Sequence, residues 1–127
     1  MNLSDIRDFL KELFPEAEHF YIGRIDSSQE KCIGVYDGNP LPETPCISFR
    51  TYQEIPVSIL LHWTENAKSS QKAALDLYFR LQNSDFPEIG GHIVPLISLL
   101  NSSPVDCTPP ESLIYEFVIN IDIFYNI

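Results

Sequence analysis

From residue 113 to residue 127 every odd-numbered position is apolar: Leu113, Tyr115, Phe117, Ile119, Ile121, Ile123, Tyr125 and Ile127. Glu116, Asn120, Asp122 and Asn126 stand among the even positions. A repeat of two predicts a β-strand with one buried face. Such a strand spans roughly 50 Å at about 3.3 Å per residue, whereas strands usually run about 5–6 residues. The expectation is that it bends, or that part of it pairs outside the subunit.

Upstream, Leu3, Ile6, Leu10 and Leu13 recur at helical spacing, with Phe9 and Phe14 beside them. This predicts a helix over 3–14, capped by Asn2 or Ser4 and stopped by Pro15. Two strands are predicted near 19–25 and 31–36, joined as a hairpin by the polar stretch 26–30. Residues 37–45 carry three prolines and a glycine and read as a loop. Residues 47–52 read as extended. Val57, Ile59, Leu61 and Trp63 then alternate with Ser58, Leu60 and His62. This predicts an interior strand, with Leu60 suggesting cover on its second face.

A second helix is predicted over 66–82, with Ala67, Ala74, Leu77, Tyr78 and Leu81 as its apolar stripe. Residues 92–100 read as a strand at an edge or bulge, because Pro95 cannot donate to a ladder. Residues 101–110 form another loop. The order predicts a single domain over 1–127 of the α+β class, with a mainly antiparallel twisted sheet packed against two principal helices.

Composition adds a globular class: 44% hydrophobic and 12% aromatic. No apolar run nears the roughly 20 residues of a membrane span. The first residues show no basic segment followed by an apolar one, so the chain is expected to stay in the cytosol. Eighteen acids against 8 bases give a net charge of -10, and no Lys or Arg follows Arg80. An acidic surface repels phosphate, which argues against a grip on nucleic acid. Cys32, Cys46 and Cys107 are odd in number and lack metal-knuckle spacing. They are expected to be reduced, buried, small hydrophobes.

No catalytic constellation emerges. His19, His62 and His92 are scattered, and His62 with Glu65 straddles a strand-to-helix boundary instead of sharing a helix face. Gly90-Gly91-His92 lacks the phosphate-loop pattern and reads as a turn. A cysteine–histidine nucleophile pair requires a tertiary coincidence. The aromatic residues lack basic neighbours for a base-stacking platform. Trp63 reads as core or interface. No cofactor, metal ligand or enzymatic role is expected.

Three segments carry a resemblance: TYQEIPVSILLHWTENA at 51–67, AALDLYFRL at 73–81 and YEFVINIDIFY at 115–125. In these, and in the order of its elements, the chain resembles the minor capsid, or tail terminator, proteins of long-tailed bacteriophages. The resemblance implies a small α/β or α+β subunit that assembles into a homo-hexameric ring. Such a ring caps the finished tail tube and joins it to the head connector. The implied partners are the major tail tube protein and a head-completion or connector protein. DNA passes through the lumen without specific binding, and no membrane is involved. The implied location is the virion, after assembly in the host cytoplasm.

A ring needs two different faces per subunit. The last strand and the Pro-bearing edge at 92–100 are candidates, which nominates Trp63, Ile93, Val94, Ile114, Val118 and Phe124 as interface residues. Asp85, Glu88, Asp106 and Glu111 are candidate acids lining the lumen. The loops 37–45 and 101–112 are candidates for axial contacts with tube or connector. The alternatives are a neighbouring neck protein, such as a head-completion or adaptor component, and a small cytosolic enzyme or ligand-binding domain.

Overall fold

The computed structural model describes residues 1–38 and 52–126. The first helix, α1 (Leu3–Leu13), starts as the sequence predicts. The Asn2 side chain accepts from the Asp5 backbone N–H at 3.0 Å, and Asp5 accepts from the Asn2 N–H at 3.0 Å. This reciprocal cap satisfies two otherwise orphaned donors. Ile6, Leu10 and Phe14 are buried beneath it.

Strands β1 (His19–Ile22) and β2 (Cys32–Asp37) follow. They pair in parallel, so the predicted hairpin is corrected. The reason lies in the connection. Gly23 and Lys31 adopt left-handed backbone angles, φ 74° and 55°, which swing the chain out and back. Lys31 N–H then donates to the Trp63 carbonyl at 2.8 Å. Residues 23–31 arch across the sheet face instead of closing a tight turn.

β3 (Tyr52–His62) and β8 (Glu116–Asn126) are equally long, 11 residues each, and pair antiparallel along their whole length. On its other side β8 carries β6 (Leu96–Leu99) and, nearer its start, β7 (Val105–Asp106). The sheet order is β1-β2-β3-β8-β6, with β7 also on β8. The chain thus pairs with one edge of β8 along its whole length and with the other edge at residues 117–118 and 121–124. Leu113 precedes the strand and is 76% exposed.

Pro56 lies inside β3, a strand with a neighbour on each side. The Gly38 N–H donates to its carbonyl at 3.0 Å, so the side of Pro56 that lacks an N–H faces the end of β2. The missing donor falls where β2 has stopped.

Helix α2 (Ala67–Gln82) is capped by Asn66, whose side chain accepts from Ser69 N–H at 2.9 Å. It buries Ser70, Ala73, Ala74, Leu77, Tyr78 and Leu81, while the predicted stripe member Ala67 is exposed. The predicted strand over 92–100 is split. β4 (Glu88–Ile89) and β5 (His92–Ile93) form a small hairpin turned by Gly90 and Gly91, at φ 59° and 79°. Two positive angles suit a tight hairpin turn and confirm the reading of this glycine pair as a turn. After Pro95 the chain joins the main sheet as β6, an outer strand, as the proline required.

Both helices pack on one sheet face. Val35, Ile59 and Ile119 form one cross-strand row of that core, and Ile33, Leu61 and Phe117 the next. Arg80 ties α2 to the end of α1. It donates to the Leu13 carbonyl at 3.1 Å and to Glu16 at 2.8 Å, and lies 4.9 Å from the Phe14 ring centre. The expected α+β class with a mostly antiparallel sheet holds. The loop at 39–45, the extended stretch at 47–51, Cys46 and Ile127 lie outside the described residues.

Candidate functional site

The face of the sheet turned away from the helices begins with the row Cys32, His62 and Glu116, which are aligned across β2, β3 and β8. Sequence order hides this row, and the fold assembles it. His62 is buried, with Nε2 3.1 Å from the Ser27 carbonyl and Nδ1 3.4 Å from Glu116 Oε2. The arch over 23–31 supplies the Ser27 contact. The Cys32 thiol points to the Gln29 carbonyl at 3.4 Å. Burial, with the charges of Asp26 and Glu18, pushes this thiol up to about 11. A nucleophilic cysteine needs the opposite shift. The row therefore holds a buried thiol and a histidine that donates to the Ser27 carbonyl and sets its other ring nitrogen, without a hydrogen-bond partner among the described residues, beside Glu116.

Further along this face Ser58 Oγ donates to Asn120 Oδ1 at 2.7 Å, and Asn120 Nδ2 donates to Asn101 Oδ1 at 3.1 Å. Asp122 lies beyond, 1% exposed, and no described donor reaches either carboxylate oxygen. Glu54 faces it diagonally across β3 and β8. The neighbouring Asp122 carboxyl, together with burial, raises the Glu54 carboxyl above its usual range. Among the described residues no three His, Cys, Asp or Glu side chains converge on one metal position.

Two shallow clefts open on the surface. One, of about 480 Å³, lies between Glu65 and the 108–115 turn, with Pro110, Leu113 and Tyr115 in its wall. The other, of about 220 Å³, lies by Gly38, Pro56, Asn101 and Asn120. Neither gathers charged groups of opposite role as a catalytic pocket does.

The margins of the sheet offer more. β1 pairs only with β2, and β6 pairs only with β8, among the described residues. Both margins carry apolar side chains that the core covers incompletely. Ile22 on β1 is 43% exposed, and Phe20 beside it is half-buried. Leu96 on β6 is 53% exposed, with Ile97 and Leu99 half-buried. Val105 and Leu100 extend the apolar surface on the β6 side.

The candidate interface residues of the sequence reading fare unequally. Trp63 is buried in the core, its ring 5.6 Å from that of Phe14, and Val94 is fully buried. Neither offers a surface, which corrects both assignments. Ile93 is exposed on the small hairpin, and Ile114, Val118 and Phe124 are half-buried. Asp85, Glu88, Asp106 and Glu111 are all exposed, yet they form two groups. Glu88 belongs to the hairpin next to Asn126, where His92 donates to the Asn126 carbonyl at 3.0 Å. Asp106 pairs with Phe117 at the other end of β8 and accepts from Thr108 at 2.7 Å. Roughly 30 Å of strand separates these ends.

Sequence reasoning missed Ile22, Leu96 and Val105 as surface groups. Pro95 was the one available signal, since it marked an edge. Cys107 is exposed, against the expected burial. No helix among the described residues is long and apolar enough to cross a membrane. No protein-family model matches the chain, and no curated protein matches it either.

Proposed function

We propose that this chain is a structural subunit of a long-tailed bacteriophage. Six copies close into a ring that caps the tail tube and joins it to the head connector, and DNA passes through the lumen. The observation that carries the reading is the pair of unlike margins without a further strand among the described residues, β1 on one side of the sheet and β6 on the other. Unlike margins make a head-to-tail contact, and head-to-tail contacts close into rings when the rotation allows. The resemblance of residues 51–67, 73–81 and 115–125 to tail terminator proteins supplies the biological setting.

The acid content fits the same picture. The stretch after Arg80 carries no base, and its exposed acids keep phosphate from sticking. Their two groups would line the ring at two levels, Asp85 with Glu88 at one and Asp106 with Glu111 at the other. The buried Cys32 thiol, pushed up to about 11, has the opposite shift to the one a nucleophile needs. The test is removal of the gene from a phage that carries it, followed by electron microscopy. Tubes of irregular length support a terminator. Tubes of normal length without attached heads point instead to a neighbouring neck protein.

A further inference from the structure

The proposed ring leaves open how neighbours join, and the inference here rests on that reading. The geometry points to one contact: β6 of one copy adds to β1 of the next as an antiparallel pair, with Ile97 opposite Ile22 and Leu99 opposite Phe20.

Three features agree. The first is strand direction. β1 is parallel to β2, β2 antiparallel to β3, β3 antiparallel to β8, and β8 antiparallel to β6. β6 and β1 therefore run oppositely. A copy rotated about an axis along the strands brings them together as the antiparallel pair that the rest of the sheet uses.

The second is hydrogen bonding. Leu100 N–H donates to the Asn120 carbonyl at 2.9 Å, so the even residues of β6 point at β8. The backbone groups of Ile97 and Leu99 then point outward. On the far margin, the N–H groups of His19 and Gly23 donate to the Lys31 and Val35 carbonyls. The backbone groups of Phe20 and Ile22 therefore point outward.

The third is side-chain parity. Residues directly opposite in a sheet share a face. Ile97 and Leu99 align with Ile123 and Ile121 on the helix side. Phe20 and Ile22 align with Ile33 and Val35, also on the helix side. The outward-pointing residues of both margins thus place their side chains on the same face, and the two half-covered cores meet. Had either margin carried the other parity, the joined sheet would have turned one apolar row to water.

A foreign strand has no reason to match direction, hydrogen-bonding pattern and side-chain parity together, whereas a second copy does.

Cysteine cross-linking tests this contact. In a background with Cys46→Ser and Cys107→Ser, Ile22→Cys and Ile97→Cys variants are mixed in equal amounts and mildly oxidised. The expected product is the mixed 22–97 disulfide, with neither same-site dimer, and a doubly substituted chain gives a ladder of covalent oligomers. Same-site dimers, or no cross-link, overturn the contact. A measurement on the unsubstituted chain covers the case of a variant that misfolds. Amide exchange at Phe20, Ile22, Ile97 and Leu99 should slow at least tenfold when the protein is concentrated into its assembled form. Unchanged exchange there overturns the contact. A six-membered ring lacking these signatures sinks the register and leaves the tail-cap reading intact. A ladder that grows into open filaments keeps the register and sinks the tail cap.

Discussion

His62 and Glu116 stand directly opposite each other on the two central strands, with the imidazole Nδ1 3.4 Å from Glu116 Oε2. The other ring nitrogen meets the Ser27 carbonyl at 3.1 Å. One buried side chain thus joins β3, β8 and the 23–31 arch. Replacing it by alanine leaves the Ser27 carbonyl without its donor. His62→Ala should lower stability by about 1–3 kcal/mol. Urea unfolding followed by circular dichroism checks this, and an unchanged midpoint contradicts it.

The Glu54–Asp122 pair gives a pH signature. Asp122 raises the Glu54 carboxyl above its ordinary value of 4.5. A raised carboxyl favours the folded state while it is protonated. That stability is complete below the unfolded value and is lost as pH rises through the folded one. Glu54→Gln removes the loss. Its melting temperature should exceed that of the parent at pH 7, and the difference should shrink toward pH 4. A pH-independent difference contradicts the pair.

Thiol chemistry separates two cysteines. Cys32 is buried and its thiol is held up at about 11, while Cys107 lies at the surface, its thiol also raised by partial burial and the nearby Glu116 and Asp106. Iodoacetamide at pH 8 should modify Cys107 in the folded protein and reach Cys32 only after denaturation. Peptide mass mapping reads this directly, and prompt alkylation of Cys32 contradicts the buried row.

Gly34 is the place where the arch presses on the sheet. A Cβ there would lie 2.7 Å from Ile25 Cγ2 and 2.9 Å from the Tyr36 ring. Gly34→Ala should cost about 1–3 kcal/mol as overpacking. Adding Ile25→Ala should recover part of that loss, and a purely additive double variant contradicts the contact.

Much of this fold is legible in the chain. Helix α1 announces itself through Asn2, Asp5 and the Ile6–Leu10 spacing, and β3 and β8 through an alternation broken only at a few positions such as Leu60 and Val118. The parallel β1–β2 pair is not legible. A short polar linker looks like a hairpin, and only the left-handed turn at Lys31 and its bond to Trp63 reveal the arch. The length of β8 misled because its equal partner begins at Tyr52 and runs straight through Pro56. Its proline makes that partner look shorter than it is.

The surface was harder to read than the core. Trp63 and Val94 look equally suited to core or interface by residue type, and tertiary packing alone put them inside. Ile22 and Leu96 follow the same apolar pattern as buried residues, so periodicity cannot tell that the sheet ends beside them. The proposed site consists of what the sheet leaves unpaired, and pairing is a property of the whole topology.

In the proposed ring, copies of this chain join head to tail through unlike sheet margins and close on themselves. Native mass spectrometry across a hundredfold range of concentration tests it most directly. A discrete species of six chains that grows with concentration, at six times the 14.5 kDa subunit mass, is expected. A chain that stays monomeric at the highest concentration, or stops at a dimer, contradicts it.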